Sequence, residues 1–244
     1  MGKPLTQQRR GKGGPPFLSP GHRFVSPGHY PAISGTQRGE VIELIQDPSK
    51  DVLLARVLLE DGRNMFMLAP EGLAIGDSLQ LGDDAQARLG NVAPLKNMPD
   101  GTPVFNVELR PMDGGKMARC SGTYGIVSSH DEITGRVEVR FATSSKEIKI
   151  LPPECRATIG VACGGGRPEK PFKKAGNKRH KMEAMNRYYP KVRGTAMSAY
   201  DHPHGGKSLG KSNTVSRNAP PGRKVGLVGA RRSGRRRRRE EVRG

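Results

Sequence analysis

The chain has 244 residues, 42 Lys and Arg against 23 Asp and Glu, a formal net charge of +19, and only 34% hydrophobic residues beside 33 Gly and 20 Pro. That composition excludes a core spanning the whole chain, and no apolar run nears the roughly 18 residues of a membrane-spanning helix. Three cysteines, Cys120, Cys155 and Cys163, form no C-x-x-C pair and are odd in number, which argues against a disulfide framework and for inert thiols.

The charge is unevenly placed. Residues 1–37 carry five basic and no acidic side chains, residues 38–160 carry 14 against 18, and residues 161–244 carry 23 against five. A slightly acidic middle therefore separates two cationic arms in which no hydrophobic core can form. Charge needed only for solubility would be spread over one folded surface, whereas charge gathered in glycine-rich arms suits a polyanion. The expected organisation is a basic N-terminal extension at 1–37, a small β-barrel at 38–84, a second at 85–160, and a basic C-terminal extension at 161–244. The opening MGKPLTQQRRGKGG lacks the apolar stretch of a secretory signal, so a cytoplasmic location is expected. The arms also lack the amphipathic periodicity that binding to an anionic membrane surface uses.

In the N-terminal arm, Arg9, Arg10, Lys12 and Arg23 stand among glycines and prolines, a pattern expected to gain order from a partner. From Gly39 the punctuation gives way to short apolar or alternating runs. Strands are expected at 41–45, 52–59 and 64–68, with Asp61-Gly62 turning between the last two, and at 79–81. Short strands with frequent turns predict a Greek-key barrel such as an OB-fold.

A second set begins near Gly90, with strands expected at 103–109, 117–121, 125–128, 136–141 and 147–151. Val137, Val139 and Phe141 alternate with Arg136, Glu138 and Arg140, the period of two that marks a half-exposed strand. A second barrel of SH3-like size follows, although periodicity does not separate OB from SH3 topology. Lys116 and Arg119, just after Asp113-Gly114-Gly115, are expected to reach RNA from a loop, with a surface salt bridge as the alternative.

Beyond Ile159 the β-pattern stops, at Gly164-Gly165-Gly166. A helix is expected over 178–189, capped by Asn177 and stopped by Pro190, with Met182, Met185 and Tyr189 at helical spacing and docked on a barrel. Lys178, Arg179 and Lys181 then face outward. No regular structure is expected after Pro190, and RRSGRRRRR at 231–239 reads as a solvated tail.

The arms have the chemistry of RNA contact. Glycine has no side chain and tolerates positive φ, so Gly164 to Gly166, Gly194, Gly205 and Gly206 are expected to let backbone approach phosphate. Arginine bridges two phosphate oxygens or stacks on a base, which lysine does not. Arg179, Arg187, Arg193, Arg217 and Arg223 are the candidates for such fitted contacts, and Lys173, Lys174, Lys181 and Lys224 for point-charge contacts. His202-Pro203-His204 beside Asp201 raises acid–base or metal chemistry. Tetrahedral zinc needs about four ligands, however, and no cysteine or further histidine stands nearby, so no catalytic or metal residue is assigned.

Read in order, GGKMARCSGT (114–123), CRATIG (155–160), KAGNKRHKM (174–182), VRGTAMSAYDHPHGG (192–206) and RNAPPGRKVG (217–226) resemble the universal large-ribosomal-subunit protein family known as L-two. The resemblance runs from QQRRGKG to GARRSGR, and RNAPPGRKVG is similar to the archaeal and eukaryotic branch. It implies an OB-fold followed by an SH3-like barrel, both on large-subunit ribosomal RNA, with extensions entering the RNA. It further implies roles in subunit joining, transfer-RNA placement and formation of the peptidyl-transferase centre. There RNA performs the chemistry, so the protein is no enzyme.

The implied partners are ribosomal RNA and neighbouring ribosomal proteins, with transfer RNA and the small subunit close by, no membrane and no second copy of the chain. No cofactor is implied beyond Mg2+ shared with the RNA. His202 and His204 are implied to hydrogen-bond or stack on RNA near the peptidyl-transferase centre. One departure stands out: Met197-Ser198-Ala199 replaces the family's usual M-N-P, removing a fixed φ and a hydrogen-bonding amide near Tyr200. Two rival readings remain, a general nucleic-acid-compacting protein that binds DNA and RNA alike, and a metal-dependent hydrolase using Asp201, His202 and His204.

Overall fold

A computed structural model describes residues 2–32, 35–141, 148–207 and 214–231, and it is mainly β. Four strands come first: β1 (Gln37–Ile45), β2 (Leu54–Leu59), β3 (Asn64–Leu68) and β4 (Ser78–Leu81). Their alternating apolar residues face one core of Val41, Val57, Leu59, Met65, Met67, Leu79 and Leu81. Asp61 supports the β2–β3 turn by accepting the Arg63 N–H at 2.9 Å, and Gly62 takes the positive φ of 80° the turn needs.

The second half holds β5 (Val92–Pro94), β6 (Pro103–Phe105), β7 (Gly125–His130), β8 (Val137–Phe141), β9 (Ile148–Leu151) and β10 (Arg156–Ile159). Val104, Val127, Val137, Val139, Leu151, Cys155 and Ala157 close its core. The architecture is an OB-fold followed by an SH3-like barrel, run together in one sheet of order β3-β2-β1-β4-β5-β10-β6-β7-β8-β9. Val52, Leu54 and Leu68 from the first half meet Phe105 and Ala162 from the second in a further buried cluster.

Several expectations need correction. The run at 103–109 ends as a strand at Phe105 because Asn106 adopts φ 50°. Residues 117–121 form no strand, only a bridge between Met117 and Val107, because Ala118 also takes φ 50°. Within the barrels two strands, β5 and β10, have no counterpart among the expected ones. All four residues of β10 are buried, so it shows no alternation, and Arg156 and Thr158 break its apolar run. Residue 147, the expected start of β9, and 232–239 of the basic tail lie outside the described residues.

The chain divides into two compact units, Pro20–Lys173 and Met1–Ser19 with Lys174–Gly244. The first extends past both ends of the barrels for visible reasons. Tyr30 is buried, its hydroxyl donating to the Asn106 carbonyl at 2.9 Å and lying 2.6 Å from Thr158 Oγ1. At the other end, the Cys163 N–H donates to Ala69 O at 3.1 Å, and Arg167 holds Ser121 Oγ at 3.0 Å and Asp51 at 3.1 Å.

In the other unit the two ends of the chain meet. It contains α1 (Thr6–Gly11), α2 (Ala175–Ala184) and a parallel pair, β11 (Thr214–Val215) and β12 (Leu227–Val228). Regular structure therefore continues beyond Pro190, contrary to expectation. The helix expected over 178–189 starts three residues earlier, without a side-chain cap, and stops early because Asn186 turns left-handed at φ 50°. No residue of α2 is buried, so Met182, the one methionine of the expected stripe that lies within it, forms no core seam. Among the described residues, no helix is long and apolar enough to cross a membrane.

Candidate nucleic-acid interface

The division into units sorts the candidate residues. Met1–Ser19 with Lys174–Gly244 holds 24 Lys and Arg against four Asp and Glu, whereas Pro20–Lys173 holds 18 against 19. One unit carries +20 and the other −1. Arg9, Arg10 and Lys12 are exposed on or just after α1, and Lys174 and Arg179 are exposed at and within α2. Arg187, Arg193, Arg217, Arg223 and Lys224 are exposed on the loops that follow, while Lys181 is half-buried. Lys178 lies 5.5 Å from the Tyr189 ring, a cation–π contact across the helix end.

Arg23, Lys116, Arg119 and Lys173 belong to the barrel unit. Arg23, Lys116 and Lys173 are exposed. Arg119 is spent inside the unit: its guanidinium donates to the carbonyls of Pro27, Gly28 (3.2 Å) and Gly115 (3.3 Å), and burial lowers its pKa. That geometry ties the loop before β7 to the segment before β1, a tether in place of the expected free contact.

The histidine loop is built from its own backbone. Ser198 O accepts the N–H groups of Asp201 and His202, both at 3.1 Å, and Gly206 N–H closes the loop onto Met197 O at 3.2 Å. Ser198 Oγ donates to Asp201 Oδ2 at 3.0 Å, so the serine that departs from the family pattern supports this turn itself. A Cβ on Gly205 would collide with the Ser198 carbonyl, and one on Gly194 with the His202 ring. These two glycines permit close approach of the chain to itself.

His202 Nδ1 accepts the His204 N–H at 3.0 Å, which leaves Nε2 as the protonated, donating nitrogen of the neutral ring. Burial, then the neighbouring His204, lowers the His202 pKa from its ordinary value. The two rings tilt at 57° with centroids 4.9 Å apart. The Asp201 carboxyl is lowered from its ordinary value by Lys3, whose Nζ lies 3.1 Å away, and then by the Ser198 hydroxyl.

Sequence reasoning missed the residues that bring the ends together. Lys3 N–H donates to Tyr200 O at 3.2 Å, Asn186 Nδ2 donates to the carbonyls of Pro15 (2.8 Å) and Leu18 (2.7 Å), and Phe17 meets Tyr188 with centroids 6.2 Å apart. Partners so distant in sequence have no periodicity that could reveal them. Also unread was a buried ion pair in the barrel unit. Arg156 Nη2 lies 2.8 Å from Glu108 Oε1, and Glu108, fully buried, also accepts N–H groups of Gly114 and Arg156 at 2.9 Å each.

The family model described as Ribosomal Proteins L2, C-terminal domain, matches residues 88–225. The chain is 46% identical to the large ribosomal subunit protein uL2 of Methanothermobacter thermautotrophicus, over 97% of this chain and 100% of that one. Two further uL2 proteins, of Halorubrum lacusprofundi and Natronomonas pharaonis, are each 46% identical over 96% of this chain and cover 98% and 97% of their own lengths. With a family model spanning more than half its length and such identity from end to end, the chain belongs to the ribosomal protein L2 family, in its archaeal-type branch.

Proposed function

We propose that this protein is a structural, non-enzymatic constituent of the large ribosomal subunit, acting in translation by binding ribosomal RNA in the cytoplasm. The observation that carries the reading is the end-to-end identity with proteins named for that subunit. The charge division agrees with it: the +20 unit offers its arginines and lysines to phosphate, while the near-neutral barrels present Arg23, Lys116 and Lys173. Neighbouring ribosomal proteins and RNA-held Mg2+, coordinated mostly by phosphate and water, complete the surroundings.

The geometry of the histidine loop supports a finer role. Its fixed, neutral His202 beside His204 suits hydrogen bonding and stacking on RNA, in support of subunit association, transfer-RNA placement and the peptidyl-transferase centre. The test is sedimentation of salt-washed ribosomal particles followed by mass spectrometry. The chain is expected in the large-subunit peak, and its absence there overturns the reading.

A further inference from the structure

Within the cationic unit, α1 and the stretch from Tyr188 to His202 enclose a cleft. Its narrow lobe, about 170 Å3, is lined by Arg10, Tyr188, Lys191, Val192, Met197 and His202. A wider lobe of about 730 Å3 opens beside it past Lys3, Leu5 and Arg9. We propose that this cleft receives one unstacked nucleotide of RNA, its base against Tyr188, Val192 and Met197, its phosphate against Arg10 and Lys191, and its edge read by His202. The inference rests on the RNA-binding reading above and adds to it a defined subsite.

The lining has two chemistries that a nucleotide joins and a simple anion does not. Tyr188 and Val192 remain 41% and 51% exposed in a unit with few large apolar side chains, although both border a concavity. An exposed aromatic ring beside arginine and lysine is the arrangement on which splayed-out bases stack. The narrow lobe has no carboxylate, and the one in the wider lobe, Asp201, is paired with Lys3. Bases within a duplex cannot enter such a concavity, so the occupant is a nucleotide turned out of its stack.

The walls are held in place before RNA arrives. Gly194 packs against the His202 ring, and the His204 N–H fixes its tautomer, so Nε2–H is ready to donate to an acceptor on a base edge. Phe17 flanks Tyr188, and Asn186 fastens the turn after α2 to the Pro15 and Leu18 carbonyls. The site is thus composite, with α1 contributing the smaller part of the narrow lobe and the stretch from Tyr188 to His202 the larger.

The test uses large subunits containing the full chain, irradiated with ultraviolet light, digested and searched by mass spectrometry for ribonucleotide–peptide adducts. An adduct on Tyr188 or His202, mapping to a single ribosomal RNA position, is expected. Adducts elsewhere in 174–231 with none on these two residues overturn the cleft and leave the RNA-binding reading intact. A chain missing from the particles defeats the broader reading first. As a second arm, Val192→Trp fills the cleft without altering charge. Its affinity for transcribed large-subunit ribosomal RNA should fall about tenfold with an unchanged salt slope, whereas Arg10→Gln should shallow that slope by about one contact. Wild-type affinity in the Val192→Trp protein also overturns the proposal.

Discussion

Pro20–Lys173 and the unit made from the two chain ends use charge in opposite ways. In the barrels, acid and base pair with one another: Glu108 with Arg156 at 2.8 Å, Asp47 with Lys50 at 2.8 Å, Asp51 with Arg167 at 3.1 Å. In the other unit four acids face 24 bases, and the ion pair described there, Lys3 with Asp201, is exposed. A region with an apolar core can neutralise its charges internally. A region without one is held by backbone hydrogen bonds, aromatic contacts and tight glycines, and leaves its positive charge for an outside polyanion.

The largest test breaks the barrel side. Glu108→Ala strands the Arg156 guanidinium in the interior and should destabilise Pro20–Lys173 by about 3–5 kcal/mol in denaturant unfolding. Replacing both Glu108 and Arg156 with apolar residues of similar size should recover most of that loss. If the single change is silent, the pair does not hold the barrels.

A smaller effect, confined to the other unit, is expected from Gly194→Ala. Its new methyl is driven against the His202 ring, a strain of about 1–3 kcal/mol. His202 resonances should shift in NMR spectra while the barrels' unfolding midpoint stays put; a moved midpoint would show that the two units are not energetically separate.

The comparison is sharpened by charge removal. Arg179→Gln, Arg193→Gln and Arg223→Gln together should shallow the log-affinity against log-salt plot for ribosomal RNA by about two to three. Three acid-to-amide changes on exposed barrel residues such as Glu40, Glu60 and Glu132 should leave it nearly unaltered.

The mildest effect is alkaline. Burial pushes the Cys155 thiol up to about 12, and burial likewise raises Tyr30 above its ordinary value of 10.0. Above pH 9 the unfolded state releases a thiol proton that the fold retains. Stability present below pH 9 should therefore decline from there towards pH 12, with Tyr30 adding to the fall above pH 10. Denaturant midpoints at pH 8 and 10.5 measure this, and Cys155→Ala should remove part of the decline.

Much of the barrel fold was legible because period-two alternation marks a sheet with one covered face, as in β2, β3 and β8. β10 was not, since covering both faces erases alternation, and left-handed turns at Asn106 and Ala118 end expected strands, the first at a residue type that adopts them readily and the second at one that does not. At the site, the charged residues of the arms were legible one by one. Their assembly was not, because Lys3 reaches Asp201 and Asn186 reaches Pro15 across most of the chain.

Composition and motif order alone established a family, two barrels and an excess of positive charge at the ends, because these are sums and local patterns that survive without coordinates. Which arginines stay exposed is another matter. So is the joining of the two arms into one unit with a cleft, and the internal use of Arg119 and Gly194. These depend on which distant groups meet, and a hydrogen bond or a collision exists only where folding has brought both partners within a few ångströms.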